Sequence, residues 1–336
     1  MRVAIAGAGA IARTHAGHLA ELGHVLVAAC DPVVDRAQAL AGPAGGRAYA
    51  GVEAMLAAER PDAVVVCSPP AHHAEAALAA FALRIPVYLE KPLARGLGDG
   101  RAIAAAWRES GCVCAVGYQW RSLDILAAAR AALHGGAPAL IVARSFGPTE
   151  PARGDLAAIG SGTWFTDPRS SGGILFELAS HDIDLMIALA GEAGSVQATA
   201  AAGGLALRGR DAGGLHDVVS VAVRFRAGGV GAVHAGWTAE GSPPLYAMDV
   251  LAADATLTLE LDPAPRLRGR AAGRAVEAAD TVPARLHSQQ RFFAAADRGD
   301  PAAVACTPDD ALATLATLIA AEAAIATGAT VAVEAA

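Results

Sequence analysis

Val3-Ala4-Ile5-Ala6-Gly7-Ala8-Gly9-Ala10-Ile11-Ala12, just inside the first residue, is the stretch whose reading decides the fold. Val3–Ala6 is a short apolar run of buried-strand length. Gly7 permits a tight turn, and Gly9 lets the backbone come close to a ligand. Ala10 and Ile11 open an alanine-rich helical stretch that runs to about Leu22. A second apolar run, Val25–Cys30, closes on Asp31. A strand, a glycine turn, a helix and an acid at the end of the next strand together form the dinucleotide fingerprint. The pyrophosphate would rest on the helix N-terminus, where unpaired N–H groups point outward, and Asp31 would accept from the ribose diol. Ala12 stands where the third glycine would be, a replacement the fingerprint tolerates. A tight turn with a solvated acid at a strand end is the plainer alternative, and the surrounding rhythm weighs against it. A carboxylate at position 31 repels a 2′-phosphate, so NAD is favoured; Arg36, five residues on, leaves NADP possible.

Working outward, Ala63–Cys67, Val87–Leu89 and Cys112–Val116 read as further strands, with helical segments at 71–83 and 97–109. These strands are too apolar to have a wet face, which is the pattern of a doubly wound parallel sheet covered on both sides. Ser68-Pro69-Pro70-Ala71-His72-His73 follows one strand, and Glu90-Lys91-Pro92 follows the next. Proline ends the first of these strands and Ser68 is a candidate helix cap. Both segments fall at the carboxyl edge of the sheet, where ligands bind in such folds. Lys91 is the sole lysine in a chain with 26 Lys+Arg, 87 alanines and no asparagine. Where charge alone is needed this sequence uses arginine, so a retained lysine at that edge points to an amine that can lose its proton.

From about Ser122 the rhythm changes. His216–Arg226 and Val230–Trp237 alternate across Ala227-Gly228-Gly229, a hairpin signature. Leu140–Phe146, Val196–Ala201, Tyr246–Leu251 and Thr256–Leu261 read as strands, and helices near 285–297 and 308–326 close the chain. A largely antiparallel sheet therefore follows the first half. The exception is Gly172–Ile187, which reads as one helix, apolar almost all round and so buried. Glu177, His181 and Asp184 fall on one stripe of it at i, i+4 and i+7. Acids beside an imidazole on a buried helix can hold one tautomer and tune its basicity. The stripe offers a cation too few ligands, and no metal is assigned. His72, His73, His216 and His234 have no such company and read as ordinary histidines.

The chain has 336 residues, room for about two domains, and 54% of them are hydrophobic, ample for large cores. A net charge of −7 with dispersed basic residues argues against a nucleic-acid or anionic-membrane partner. Mean hydropathy is +0.38, inflated by alanine, but no stretch reaches the roughly 18 charge-free apolar residues of a membrane span. The apolar start could pass for a signal peptide, yet two glycines interrupt it and Arg13, His15 and His18 follow at once. Five scattered cysteines with no CxxC fit a reducing cytoplasm. Cys112 and Cys114, two apart on a strand, read as packing.

These motifs together resemble the glucose–fructose oxidoreductase/inositol dehydrogenase (Gfo/Idh/MocA) family. The matches are Gly7–Ala12, Asp31, Ser68–His73, Glu90-Lys91-Pro92-Leu93-Ala94, Gly117-Tyr118-Gln119-Trp120-Arg121 and the Gly172–Leu185 helix; the closing stretch from Gln290 to Val331 is also similar. The resemblance implies α/β architecture, with an NAD(P)-binding Rossmann domain over 1–120 and, over 121–336, a substrate-binding and oligomerisation α/β domain whose sheet is open and largely antiparallel. It implies hydride transfer between nicotinamide and a secondary alcohol of a sugar, cyclitol or related polyol, and a homodimer or homotetramer. By the same resemblance, Lys91 contacts the reacting hydroxyl and the cofactor, often beside a cis Lys-Pro bond. His181 is the general acid/base and position 177 supports it; relatives usually carry Asp where this chain has Glu177. Gly7, Gly9, Ala10, Ile11, Asp31, Ser68, Pro69, His73, Glu90, Lys91 and Gln119 are expected against the cofactor. Trp120, Trp164 and Asp184 are expected near the substrate, with Tyr118, Arg121 and Asp167 as further pocket candidates. Two other activities share the fold: a transient NAD-dependent oxidation that breaks a glycosidic bond, and a non-catalytic dinucleotide- or sugar-sensing regulator. A purely structural protein has no use for the fingerprint.

Overall fold

Strand and helix alternate through the first 118 residues because each apolar run stops at a glycine, proline or acid. In a computed structural model, which describes residues 1–148, 168–202, 215–238, 242–262 and 264–335, six short strands form one parallel sheet. They are β1 (Arg2–Ala6), β2 (Val25–Cys30), β3 (Arg47–Tyr49), β4 (Ala63–Val66), β5 (Val87–Leu89) and β6 (Cys114–Val116), in the order β3-β2-β1-β4-β5-β6. The order reverses between β1 and β4. Their carboxyl ends are thus the crevice where a doubly wound sheet takes its ligand. Val64, Val65 and Val66 have no exposed surface, as a sheet covered on both faces requires. Residues 112 and 113 lie outside β6, and the Cys112 carbonyl accepts from the Trp107 indole at 2.9 Å instead of pairing in the sheet.

Helices α1 (Ala10–Glu21), α2 (Val34–Ala41), α3 (Val52–Glu59), α4 (His73–Ala82) and α5 (Leu97–Ser110) link these strands, and α6 (Asp124–Ala132) follows the last of them. α1 starts at Gly9, whose extended backbone forms the N-cap, and stops before Gly23 at φ 74°. Its buried face is Ala12, His15 and Leu19, spaced i, i+3, i+7, so a histidine sits on an otherwise apolar stripe.

Among the described residues the second sheet has nine strands in the order β14-β13-β12-β11-β7-β10-β9-β8-β15. β7 (Leu140–Pro148) pairs parallel with β10 (Val230–Thr238); every other neighbouring pair is antiparallel. The others are β8 (Ala193–Ala201), β9 (Val218–Phe225), β11 (Leu245–Leu251), β12 (Ala255–Asp262), β13 (Arg266–Ala271), β14 (Arg274–Ala279) and β15 (Val331–Ala332). Burial alternates along β9 and β12, which is one packed face and one wet face. The β13–β14 hairpin is announced weakly: Arg266, Arg268 and Arg270 alternate with Leu267, Gly269 and Ala271, and the Ala272-Gly273 turn has φ 46° and 75°.

Packing divides the chain into two units: Met1–Tyr118 with Arg285–Leu312, and Gln119–Ala284 with Ala313–Ala336. Arg285–Leu312 packs with the first unit. The cause is α8 (Ala284–Arg298): Phe292 and Phe293 are buried in a cluster with Ala8, Ala12, Leu19 and Leu26. α9 (Pro308–Thr327) is long and apolar enough to cross a membrane by length and composition. Leu312, Leu315 and Leu318 are nevertheless 2% exposed or less, so its apolar side chains are used inside the fold.

Candidate functional site

Gly7 follows β1 with φ 92°, and its N–H donates to the Cys30 carbonyl at 2.8 Å. A Cβ there would stand 2.6 Å from the Ser68 backbone nitrogen, so only glycine fits between β1 and the loop after β4. A Cβ at Gly9 would meet nothing within 4 Å, so its missing side chain serves no packing within the chain. Asp31 braces the turn. Its two carboxylate oxygens accept from Ala8 N at 3.0 Å and Val33 N at 2.9 Å. Each oxygen keeps a second lone pair, so this bracing is compatible with a ribose contact. Ala10 and Ile11 form the first turn of α1. Ser68 caps nothing, contrary to expectation: the short 3-10 turn Pro70–His72 begins at Pro69 without a side-chain cap. The Ser68 hydroxyl is buried with no hydrogen-bond partner among the described residues.

Glu90-Lys91-Pro92 leaves β5 at the same edge, and the Lys91–Pro92 bond is cis. Glu90 is 7% exposed. Its Oε2 accepts from the Lys91 N–H at 3.1 Å and its Oε1 lies 2.7 Å from His15 Nε2. Burial pushes the Glu90 carboxyl up, but the His15 hydrogen bond and the nearby Arg285 and Lys91 cations outweigh it. The group is held well below the usual carboxylate range.

His73, expected against the cofactor, holds two loops of that edge together. It is fully buried, with Nε2 2.9 Å from the Ser68 carbonyl and Nδ1 2.9 Å from the Pro92 carbonyl. Carbonyls at both nitrogens favour the charged ring, but burial is the larger effect and lowers its pKa. With both ring nitrogens on backbone oxygens, His73 ties the Ser68 loop to the Lys91 loop. Pro69 and Pro70 give the first of these loops its turn.

In the second unit, the Gly172–Ile187 segment is less regular than one helix. A π-helical turn, Leu175–Ala179, precedes the α-helix Ser180–Ala190, here α7. Glu177 therefore lies on the π turn, while His181 and Asp184 lie on the regular helix. π turns of this kind gather at functional sites. His181 is 9% exposed, with its ring centroid 5.0 Å from that of Trp120. Trp120 belongs to the 3-10 turn Gln119–Ser122, which places Gln119 in the second unit as well. Asp184, expected near the substrate, is 1% exposed and its carboxylate is committed. It accepts from Arg121 Nε at 2.7 Å and Thr314 Oγ1 at 3.0 Å, a buried cross-link between the 119–122 turn, α7 and α9. Arg121 is committed by the same bond. Trp164 and Asp167 lie outside the described residues.

Asp182 was not singled out in the sequence. It is fully buried, accepts from Ser145 Oγ at 3.0 Å, and its Oδ2 has no hydrogen-bond partner among the described residues. Burial pushes its carboxyl up from 3.8 to about 7, against the smaller downward pull of the Ser145 bond. A raised carboxyl stabilises the fold only while protonated in it. Stability from this group is therefore full below about pH 3.8, falls as the pH rises, and is lost above about pH 7. Asp182→Asn keeps an acceptor for Ser145 and removes the ionisation. It is expected to stabilise by up to about 4 kcal/mol at pH 8 and to be near neutral at pH 4. Thermal melts at the two pH values read this, and equal melting temperatures at pH 8 would contradict it.

Residues 1–118 match the family model described as "Oxidoreductase family, NAD-binding Rossmann fold", and residues 135–257 match the GFO/IDH/MocA C-terminal domain. The chain belongs to the Gfo/Idh/MocA oxidoreductase family. D-glucoside 3-dehydrogenase of Escherichia coli is 38% identical over 124 residues, 36% of this chain and 35% of that protein. 1,5-Anhydro-D-fructose reductase of Ensifer adhaerens is 29% identical over 241 residues, 70% of this chain and 69% of that protein. The chain matches only 35% to 46% of the length of the first curated relatives. Among solved structures, WlbA dehydrogenase from Bordetella pertussis, in complex with NADH and UDP-GlcNAcA, superimposes with a TM-score of 0.79 at 23% identity. The match covers 100% of this chain and 99% of that one, a likeness of fold. Membership in the Gfo/Idh/MocA family makes residues 1–118 an NAD-binding Rossmann fold.

Proposed function

We infer that the protein is an NAD-dependent dehydrogenase acting on a secondary alcohol of a sugar, cyclitol or related polyol. The observation that carries the reading is the sole lysine, placed after β5 at the carboxyl edge that also holds the glycine turn, with its backbone fixed by Glu90. The residues at that edge fit a dinucleotide. Gly9 leaves room for close backbone approach, the Ser68 hydroxyl is an unmatched buried polar atom, and Asp31 retains acceptor capacity. NAD supplies the hydride acceptor at nicotinamide C4. Lys91 offers its amine to the reacting hydroxyl, and His181 takes or returns the hydroxyl proton, its ring steadied by Trp120. Glu177 supports His181 from the π turn, with one methylene more than the Asp usual at this position. The relatives whose names specify D-glucoside and 1,5-anhydro-D-fructose support a sugar-like substrate.

Asp31 favours NAD over NADP; Arg36 is exposed on α2, outside the bracing of the turn. The test is a panel of hexoses, anhydro sugars and cyclitols assayed with each dinucleotide. Net NADH release, with a lower KM for NAD than for NADP, is the expected result. Transient oxidation would show product without net NADH, and a sensor would bind NAD tightly without turnover. The five cysteines are buried and form no disulfide among the described residues, in keeping with a reducing compartment, the cytoplasm. The wet face of the second sheet is the surface we assign to a homodimer or homotetramer, which light scattering would read as two or four chains.

A further inference from the structure

A histidine on an alanine-rich helix is costly to bury unless both ring nitrogens are matched. His15, on the inner face of α1, has no exposed surface. Its Nε2 is 2.7 Å from Glu90 Oε1, and its Nδ1 meets the side-chain nitrogen of Gln289 on α8, itself fully buried. An ionised carboxylate only accepts, and an amide nitrogen only donates. His15 Nε2 therefore donates to Glu90, while Nδ1 faces the Gln289 amide. The Gln289 amide is oriented in turn, because its oxygen lies 3.2 Å from His18 Nδ1. Glu90 passes the constraint on, since its other oxygen accepts the Lys91 N–H at 3.1 Å. The space around Glu90 is tight as well: a Cβ at Gly117 would come within 3.3 Å of both Glu90 Oε2 and Lys91 N.

We propose that His15 is a positioning residue for Lys91: with its ring held by Gln289, it holds Glu90 oriented, and Glu90 holds the backbone of the lysine. Packing alone would be met by an apolar side chain at position 15, in line with Ala12 and Leu19. The ring supplies what such a side chain cannot, an N–H for a carboxylate buried at the base of the Lys91 loop. The catalytic meaning of this rests on the reading of Lys91 given above.

Lys91 being the only lysine, reductive methylation with ¹³C-formaldehyde labels two amines, Lys91 and the N-terminus, and the second serves as an internal control. His15→Leu is expected to shift or broaden the dimethyl-Lys91 resonance and leave the N-terminal one in place. It should lower kcat by roughly 10- to 100-fold, with the KM values for NAD and polyol within about twofold. His15→Gln puts an amide N–H near the place of Nε2–H and should restore most of kcat and the wild-type resonance. Gln289→Leu, which frees Nδ1 without touching Glu90, should move the resonance the same way by less, and it carries the test if His15→Leu does not fold. An unmoved Lys91 resonance in a folded His15→Leu or Gln289→Leu protein overturns the proposal. If the wild type turns over no polyol, the dehydrogenase reading fails, while the resonance comparison still decides whether His15 positions the lysine.

Discussion

Lys91→Arg should leave a folded protein that binds NAD and turns over substrate roughly 10² to 10⁴ times more slowly than wild type, the usual worth of a positioned proton-handling group. The substitution keeps the positive charge, so anything Lys91 does by charge alone survives it. It removes an amine able to lose its proton, because a guanidinium stays protonated throughout the working range. It also replaces a compact ammonium with a broad planar fork on a loop whose backbone is held on both sides. Glu90 grips the Lys91 N–H, and His73 faces the Pro92 carbonyl. That loop has little freedom to accommodate the larger head. Steady-state kinetics alongside NADH titration check this: kcat collapses while the dissociation constant for NADH changes little. A Lys91→Arg enzyme with full kcat would mean that the site needs only a cation.

His181→Ala is the second large effect, again roughly 10² to 10⁴ in kcat. The ring is nearly buried against Trp120, so removing it deletes the group assigned to take the hydroxyl proton. The loss should shrink as the pH rises, since hydroxide partly replaces a missing base. A loss independent of pH would assign the ring to packing. Circular dichroism separates the two causes, because α7 stays anchored by the Arg121–Asp184–Thr314 cross-link whatever occupies position 181. Glu177→Asp, which restores the acid usual in relatives, should change kcat by far less than His181→Ala.

The parts of the candidate site legible in the sequence are those whose chemistry is local. Gly7, Gly9 and Asp31 announce themselves because a tight turn, a close approach and a strand end each demand particular residues within a few positions. Lys91 stood out by rarity and by following a strand. His15 was invisible because its partners, Glu90 and Gln289, are 75 and 274 residues away in sequence. Its one local signal was its place on the apolar stripe of α1 between Ala12 and Leu19. α8 was legible as a helix but not as part of the first unit, since its docking depends on Phe292 and Phe293 meeting residues from the start of the chain. The periodicity of Gly172–Ile187 concealed a π turn, which changes hydrogen-bond partners without changing composition. The loop-holding contacts of His73 lie on the Ser68 and Pro92 carbonyls, one five and the other nineteen residues away, so the sequence shows only its place after a strand.

The central claim is hydride transfer that depends on the Lys91 amine, and an isotope read at the nicotinamide tests it most directly. Wild-type protein is incubated with NAD and a sugar or cyclitol deuterated at its ring carbons, and the dinucleotide is recovered for mass spectrometry and NMR. The expected product is NADH carrying one deuterium at C4, with far slower appearance of that label in Lys91→Arg. NAD that binds tightly and returns unreduced and unlabelled across the whole panel, or label that appears at the wild-type rate in Lys91→Arg, would contradict it.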